Sequence, residues 1–149
     1  MDTRQTLNRL LVKFFKYIMT IEEKGLITDE FSDITYNDMH VIEAIGQTEP
    51  KKMSQIAKEL SITTGSLTKA VNSLEKKRYV QRKRSKHDKR VVHISLTERG
   101  RKAYRHHEQF HEDMIAFVLD HVDDEESVVL QRALENLMNY FQQKYQQIS

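Results

Sequence analysis

Cysteine and tryptophan are absent from this sequence, and its 149 residues include one proline and four glycines. Without cysteine there can be no disulfide, thiolate zinc site, cysteine nucleophile or thiol redox sensor. So little turn punctuation argues against a β-sandwich or barrel and for a mainly α fold. Long apolar runs are missing too. The longest, Met114 to Leu119, has six residues, against the roughly 20 that a membrane-spanning helix needs. The opening Met1-Asp2-Thr3-Arg4-Gln5 lacks a secretory layout. Phosphate loops and catalytic motifs are also lacking, so the expectation is a non-enzymatic cytoplasmic protein without membrane contact, forming one domain over 1–149.

Net charge is only +2, but it is unevenly placed. Lys51 to Arg105 holds 17 Lys and Arg against 4 Asp and Glu, a net of +13, while the remainder nets −11. A basic middle between acidic ends is the electrostatic footprint of a polyanion-binding protein. Nucleic acid fits best; an anionic membrane surface or an acidic protein is the alternative.

Apolar periodicity divides the chain into elements. Leu7, Leu10, Leu11, Phe14, Ile18 and Ile21 mark a first helix, and Gly25 to Asp33 reads as a loop. Thr35 can cap a second helix that Gly46 ends, and Glu49-Pro50-Lys51-Lys52 reads as a break. Ser54 can cap a short helix, and Ser61-Ile62-Thr63 a turn into another with Leu67, Ala70, Val71 and Leu74 inward. After Lys77 the period becomes that of strands, Tyr79–Arg84 and Val91–Leu96, around a charged tip. Thr97 can cap a long helix, and Asp123 with Glu126 can open the last. The expected fold is a winged helix-turn-helix with a small two-stranded β-wing, its reading lobe spanning residues 35–105.

Two short helices joined by a tight turn, the second with a polar outer face, form a DNA-reading unit. With the apolar stripe inward, Gly65, Lys69, Asn72 and Lys76 point outward, beside Ser66, Thr68 and Ser73. Asn pairs with adenine edges, Thr methyls meet thymine, and Lys binds guanine or phosphate. Gly65 permits close backbone approach. The helix start, with the hydroxyls of Thr63 and Thr64, suits phosphate, although Thr63 is equally well explained as a cap alone. The hairpin tip offers Lys86 and Lys89 for phosphate and Arg90 for the minor groove, with Asp88 positioned to brace Arg90 through an ion pair.

Asp88-x-Arg90 followed by Leu96-Thr97-x-x-Gly100 resembles the wing signature of the MarR family of bacterial regulators, and Leu74-Glu75-Lys76-Lys77 looks like the end of its recognition helix. The resemblance covers nearly the whole chain. It implies a homodimer paired through terminal helices, here 1–34 and 106–149, on a pseudo-palindromic double-stranded operator. Arg78 departs from the pattern, because that position often carries Gly. The segments Ile21-Glu22-Glu23, Met39-His40-x-Ile42, Arg90-Val91-Val92-His93 and Phe110-His111 are further similar to the FabT-type branch. That likeness implies a repressor of fatty-acid synthesis genes with long-chain acyl-acyl carrier protein as co-repressor.

Such an effector needs an apolar tunnel and a basic dock. Phe14, Ile18, Ile21, Met39, Ile42, Phe110, Met114 and Phe117 are the tunnel candidates, or else they simply fill the core. Arg99, Lys102 and Arg105 are the candidate dock, or else phosphate contacts. No cofactor is expected. His107 and His111 stand at i, i+4, a metal-ligand spacing, so zinc with His107, His111 and His40 is the alternative effector. His107 lies mid-stripe between Ala103 and Phe110, where a hydrogen-bonded core histidine is the stronger expectation.

Overall fold

Local capping chemistry explains most of the element boundaries. The computed structural model describes residues 2–26, 28 and 30–148. Helix α1 (Thr3–Leu26) opens on Asp2, whose Oδ1 accepts from the Gln5 N–H at 2.8 Å while Gln5 accepts in return from the Asp2 N–H. Helix α2 (Tyr36–Ile45) opens on the same reciprocal device, Thr35 with Asp38, and stops at Gly46, which takes φ 70°. The predicted loop at Gly25–Asp33 lies partly outside the described residues, and Gly25 itself belongs to α1.

The expected break at Glu49–Lys52 is corrected in part: Lys51–Lys52 is a strand, β1. Helix α3 (Met53–Leu60) follows directly, so its cap is Lys52 rather than Ser54, and the Gln55 side chain accepts from the Lys52 N–H at 2.9 Å. Helix α4 (Thr64–Lys76) leads into β2 (Val80–Arg84) and β3 (Val92–Leu96). The sheet is antiparallel and three-stranded, ordered β1-β3-β2, with Lys51 opposite Ile94 and Arg82 opposite Ile94 from the other side. Its hairpin is the expected wing, and β1 adds the third strand. Helix α5 (Glu98–His121) and helix α6 (Asp124–Ile148) complete the chain. Thr97 caps α5 through Gly100, and Asp123 and Glu126 cap α6 reciprocally.

The chain divides into two compact units, Met1–Phe110 and His111–Ser149. In the first, Ile42, Ile45, Ile56, Leu67, Val71, Leu74, Tyr79 and Ile94 are inaccessible to solvent and form one core beneath the helix-turn-helix and the sheet. Burying such side chains stabilises by about 1.5–3 kcal/mol each. The long helices behave differently. Leu7, Phe14 and Phe15 are exposed on α1, and no residue of α6 is buried within the chain.

Candidate nucleic-acid interface

The turn before α4 is built by backbone geometry. Ser61 takes a left-handed φ of 55°, which lets Ile62 N–H reach the Ala57 carbonyl at 3.1 Å and ends α3. Thr63 then caps α4, its Oγ1 accepting from the Ser66 N–H at 3.1 Å. With Leu67, Val71 and Leu74 buried below, Thr64, Gly65, Ser66, Thr68, Lys69, Asn72 and Lys76 all lie exposed on the outer side. Thr68 donates its hydroxyl to the Thr64 carbonyl at 2.7 Å.

The wing tip is a tight, self-bonded hairpin. Ser85 N–H donates to the Val91 carbonyl at 2.8 Å, and Ser85 Oγ accepts from the N–H groups of His87 and Asp88. Asp88 accepts from the Arg90 backbone at 3.0 Å and from its guanidinium Nε at 3.2 Å. These two bonds, the backbone one first, hold the Asp88 carboxyl below its usual range. The Arg90 side chain is nonetheless 93% exposed, so Asp88 aims it without covering it. Lys86 and Lys89 are exposed beside it.

Arg82 was missed by the sequence reading. It donates through Nη2 to Asn72 Oδ1, and its Nε lies 3.9 Å from Glu75 Oε1. Strand alternation carried the signal: Arg82 shares a sheet face with the buried Val80, the side turned toward α4.

Behind the reading surface, a second set of contacts fixes where α4 ends and the wing begins. Arg78 takes φ 68°, a left-handed conformation that glycine adopts more readily. Thr97 Oγ1 donates to the Arg78 carbonyl at 2.5 Å, and Thr97 N–H donates to the Tyr79 carbonyl at 3.0 Å. Gly100 is required here, because a Cβ on it would stand 2.1 Å from the Tyr79 carbonyl oxygen. Tyr79 donates to Asp33 at 2.5 Å, and Arg99 pairs with Asp33 at 3.1 Å while lying 4.4 Å over the Tyr79 ring. Burial would raise the Asp33 carboxyl. The Tyr79 hydrogen bond and the Arg99 charge outweigh that and hold it below its usual range. Burial, then the Asp33 bond, pushes the Tyr79 phenol up to about 12.

Of the three cations predicted as a dock, Arg99 belongs to this clamp and also donates to the Lys77 and Glu30 carbonyls. Arg105 contacts Gln47 and Glu98, and Lys102 is exposed. The tunnel candidates separate by environment. Met39 and Ile42 are buried in the lobe core, Phe14 and Ile21 are exposed on α1, and Ile18 and Phe110 are half-buried. In the second unit, Met114 is half-buried and Phe117 exposed. His107 is buried and pairs with Glu43, with Glu22 Oε1 at 4.0 Å. Tyr36 donates to Glu22 at 2.6 Å, and burial followed by that bond raises its phenol above the ordinary range. His40 meets the other face of Glu43 at 3.7 Å. His111 is one turn along α5, at the start of the second unit.

Helix-turn-helix, wing and basic outer face together define a winged-helix DNA-binding transcriptional regulator. A family profile described as "Transcriptional regulator SarA/Rot" matches residues 16–106, and the chain belongs to that family. The structure is similar to that of Streptococcus pneumoniae FabT in complex with DNA, with TM-score 0.85 and 38% identity, covering 94% of this chain and 98% of that one. It shares its fold with a MarR-family transcription regulator, SP03579, at TM-score 0.75 and 15% identity, covering 95% of this chain and 93% of that one. By sequence it is 41% identical over 68 residues to the SarZ regulator of Staphylococcus haemolyticus, covering 46% of each chain. The chain matches between about half and two thirds of the length of the first curated relatives.

Proposed function

We propose that this protein is a homodimeric, sequence-specific repressor of fatty-acid synthesis genes, with long-chain acyl-acyl carrier protein as its co-repressor. The observation that carries this reading is the 38% identity to FabT across nearly the full length of both chains, in a structure that contains DNA. The dimer assignment is supported by the exposed apolar residues of α1 and α6, including Leu7, Phe14, Val129 and Phe141, with Leu10 half-buried on α1 and Leu137 half-buried on α6. Such faces on long helices call for a partner surface. Residues 1–34 and 106–149 are the segments assigned to pairing, and 35–105 to reading.

In this account each lobe takes one half-site of a pseudo-palindromic duplex, the half-sites about one turn or roughly 10 bp apart. Lys69 and Asn72 read base edges in the major groove, with Gly65 and Thr68 letting the helix approach. Thr63, Thr64 and Ser66 at the helix start meet phosphate, as do Lys76, Lys86 and Lys89. Arg90, braced by Asp88, enters the minor groove.

Acyl carrier protein is acidic, so its dock is basic: Lys102 and Arg105 on α5, with Arg99 bracing the helix beneath them. Within the first unit, Phe14, Ile18, Ile21 and Phe110 are the exposed or half-buried apolar residues offered to the acyl chain, whereas Met39 and Ile42 are packed in the core. A titration on a palindromic fragment from a fatty-acid gene promoter, with and without acyl-acyl carrier protein, tests the reading. Tighter binding with the carrier supports it, and indifference to the carrier removes the co-repressor. An Arg105→Glu variant that loses the carrier effect but keeps bare DNA binding supports the dock, whereas loss of DNA binding alone makes Arg105 a phosphate contact.

A metal-responsive regulator of other genes is the second reading. The buried His107 with Glu43 and Glu22 around it favours it, with His40 as a further ligand. DNA affinity that follows zinc and a chelator, and ignores acyl carrier, would select it.

A further inference from the structure

Asn72 is the side chain of α4 best suited to read a base, and its amide has two ends. Oδ1 accepts and Nδ2 donates, and pairing with adenine needs both: Oδ1 takes the adenine N6 amino group and Nδ2 gives to N7. In this structure one of the two lone pairs of Oδ1 is already used, because the Arg82 guanidinium donates to it from the neighbouring strand, and the cation seated there disfavours a second incoming donor. Glu75, one turn further along α4, stands 3.9 Å from the same guanidinium and holds it over that end of the amide. Arg82 is fixed from its own side as well, since its register opposite Ile94 turns it toward α4.

We propose that Arg82 is a specificity-determining residue that fixes which base Asn72 reads. This rests on the reading above, in which Asn72 faces the major groove. With Oδ1 held, Asn72 presents its Nδ2 hydrogens outward, and the neighbouring guanidinium adds only further donors. An adenine N6 amino group arriving at this place must share Oδ1 with the guanidinium, beside a positive charge and a row of donors. Guanine offers two acceptors on the same edge, N7 and O6, and no major-groove donor. The base opposite Asn72 is therefore guanine, where an unconstrained asparagine would select adenine. The contact also ties the recognition helix to the wing strand, so the two reading elements present one joined surface of donors.

The test is competitive binding of an operator panel carrying each base at every half-site position, with the full-length protein, Asn72→Ala and Arg82→Met. Asn72→Ala identifies the position by flattening its preference. At that position the unsubstituted protein should favour guanine over adenine by roughly 5-fold to 150-fold. Arg82→Met keeps the length of the stem and removes the donors, and should bring adenine level with guanine or above it. If the unsubstituted protein favours adenine there, the inference is overturned without any reference to the Arg82 variant. If Arg82→Met leaves the guanine preference intact, or weakens all sequences alike and lowers the salt slope, Arg82 is a phosphate contact and the inference fails. If Asn72→Ala flattens no position, the placement of Asn72 in the groove fails first, and this inference with it.

Discussion

The reading lobe and the terminal helices treat their apolar residues in opposite ways. In the lobe, α2, α3, α4 and the sheet close over Ile42, Ile45, Ile56, Leu67 and Ile94 until none is accessible. On α1 and α6, residues of the same kind stay open: Phe14 is 57% exposed and Phe141 56%. The periodic stripes look alike in sequence, but one is satisfied within the chain and the other is not. The difference teaches that amphipathicity shows that a helix must bury a face, and not what will cover it.

The largest effect should come from the open faces. Phe14→Asp combined with Phe141→Asp removes two large apolar side chains from each chain and places charges there. With about 1.5–3 kcal/mol for each buried side chain, and four lost per dimer, pairing should weaken by several orders of magnitude. Light scattering should report a monomer while circular dichroism keeps its helical signal. Loss of helix along with the dimer would mean that lobe and terminal helices are not separable in this way.

Gly100→Ala probes the closed side. Its Cβ would be driven against the Tyr79 carbonyl oxygen, a backbone atom that cannot simply turn away. The lobe should lose about 3 kcal/mol in denaturant titration, within the range of severe overpacking. An unchanged midpoint would show that the junction between sheet and α5 is looser than described.

Asp33→Asn should have a smaller effect with a pH signature. The Asp33 carboxyl lies below its usual value in the folded chain, so its contribution is present above the unfolded value of about 3.9 and is lost as pH falls through the lowered folded value. Substituted and unsubstituted proteins should therefore converge in acid. At neutral pH they should differ by less than about 1 kcal/mol, because the Asp33–Arg99 pair is substantially exposed. A gap that persists at low pH would assign the effect to packing. Smallest of all, Lys89→Ala should weaken every DNA sequence similarly and reduce the salt slope by about 1; a change in preferred sequence would instead make Lys89 a base reader.

Helix order and most helix starts were legible because caps are local chemistry. Thr35 with Asp38, Thr63, Thr97, and Asp123 with Glu126 each act within three residues. Strand β1 was hidden for the opposite reason: two lysines show no alternation, and they become a strand only by pairing with β3 some forty residues on. The contacts of Arg99 were hidden in the same way. Its partner Asp33 is 66 residues distant, so an exposed cation was expected where the fold makes a clamp. The face of Arg82 is legible from the Val80 alternation, but in a hairpin this basic one more cation carries no distinguishing signal. The left-handed Arg78 was visible as a departure from glycine, and its φ of 68° now shows it retained where glycine would be easier.

The proposal that the open helical faces pair two chains, each with a closed reading lobe, is tested most directly by sedimentation equilibrium of the protein alone and on a pseudo-palindromic operator duplex. The account predicts twice the 17.7 kDa chain mass at micromolar concentration, and two chains per duplex with half-sites about one turn apart. A monomer in solution that binds a single half-site with full affinity would contradict it.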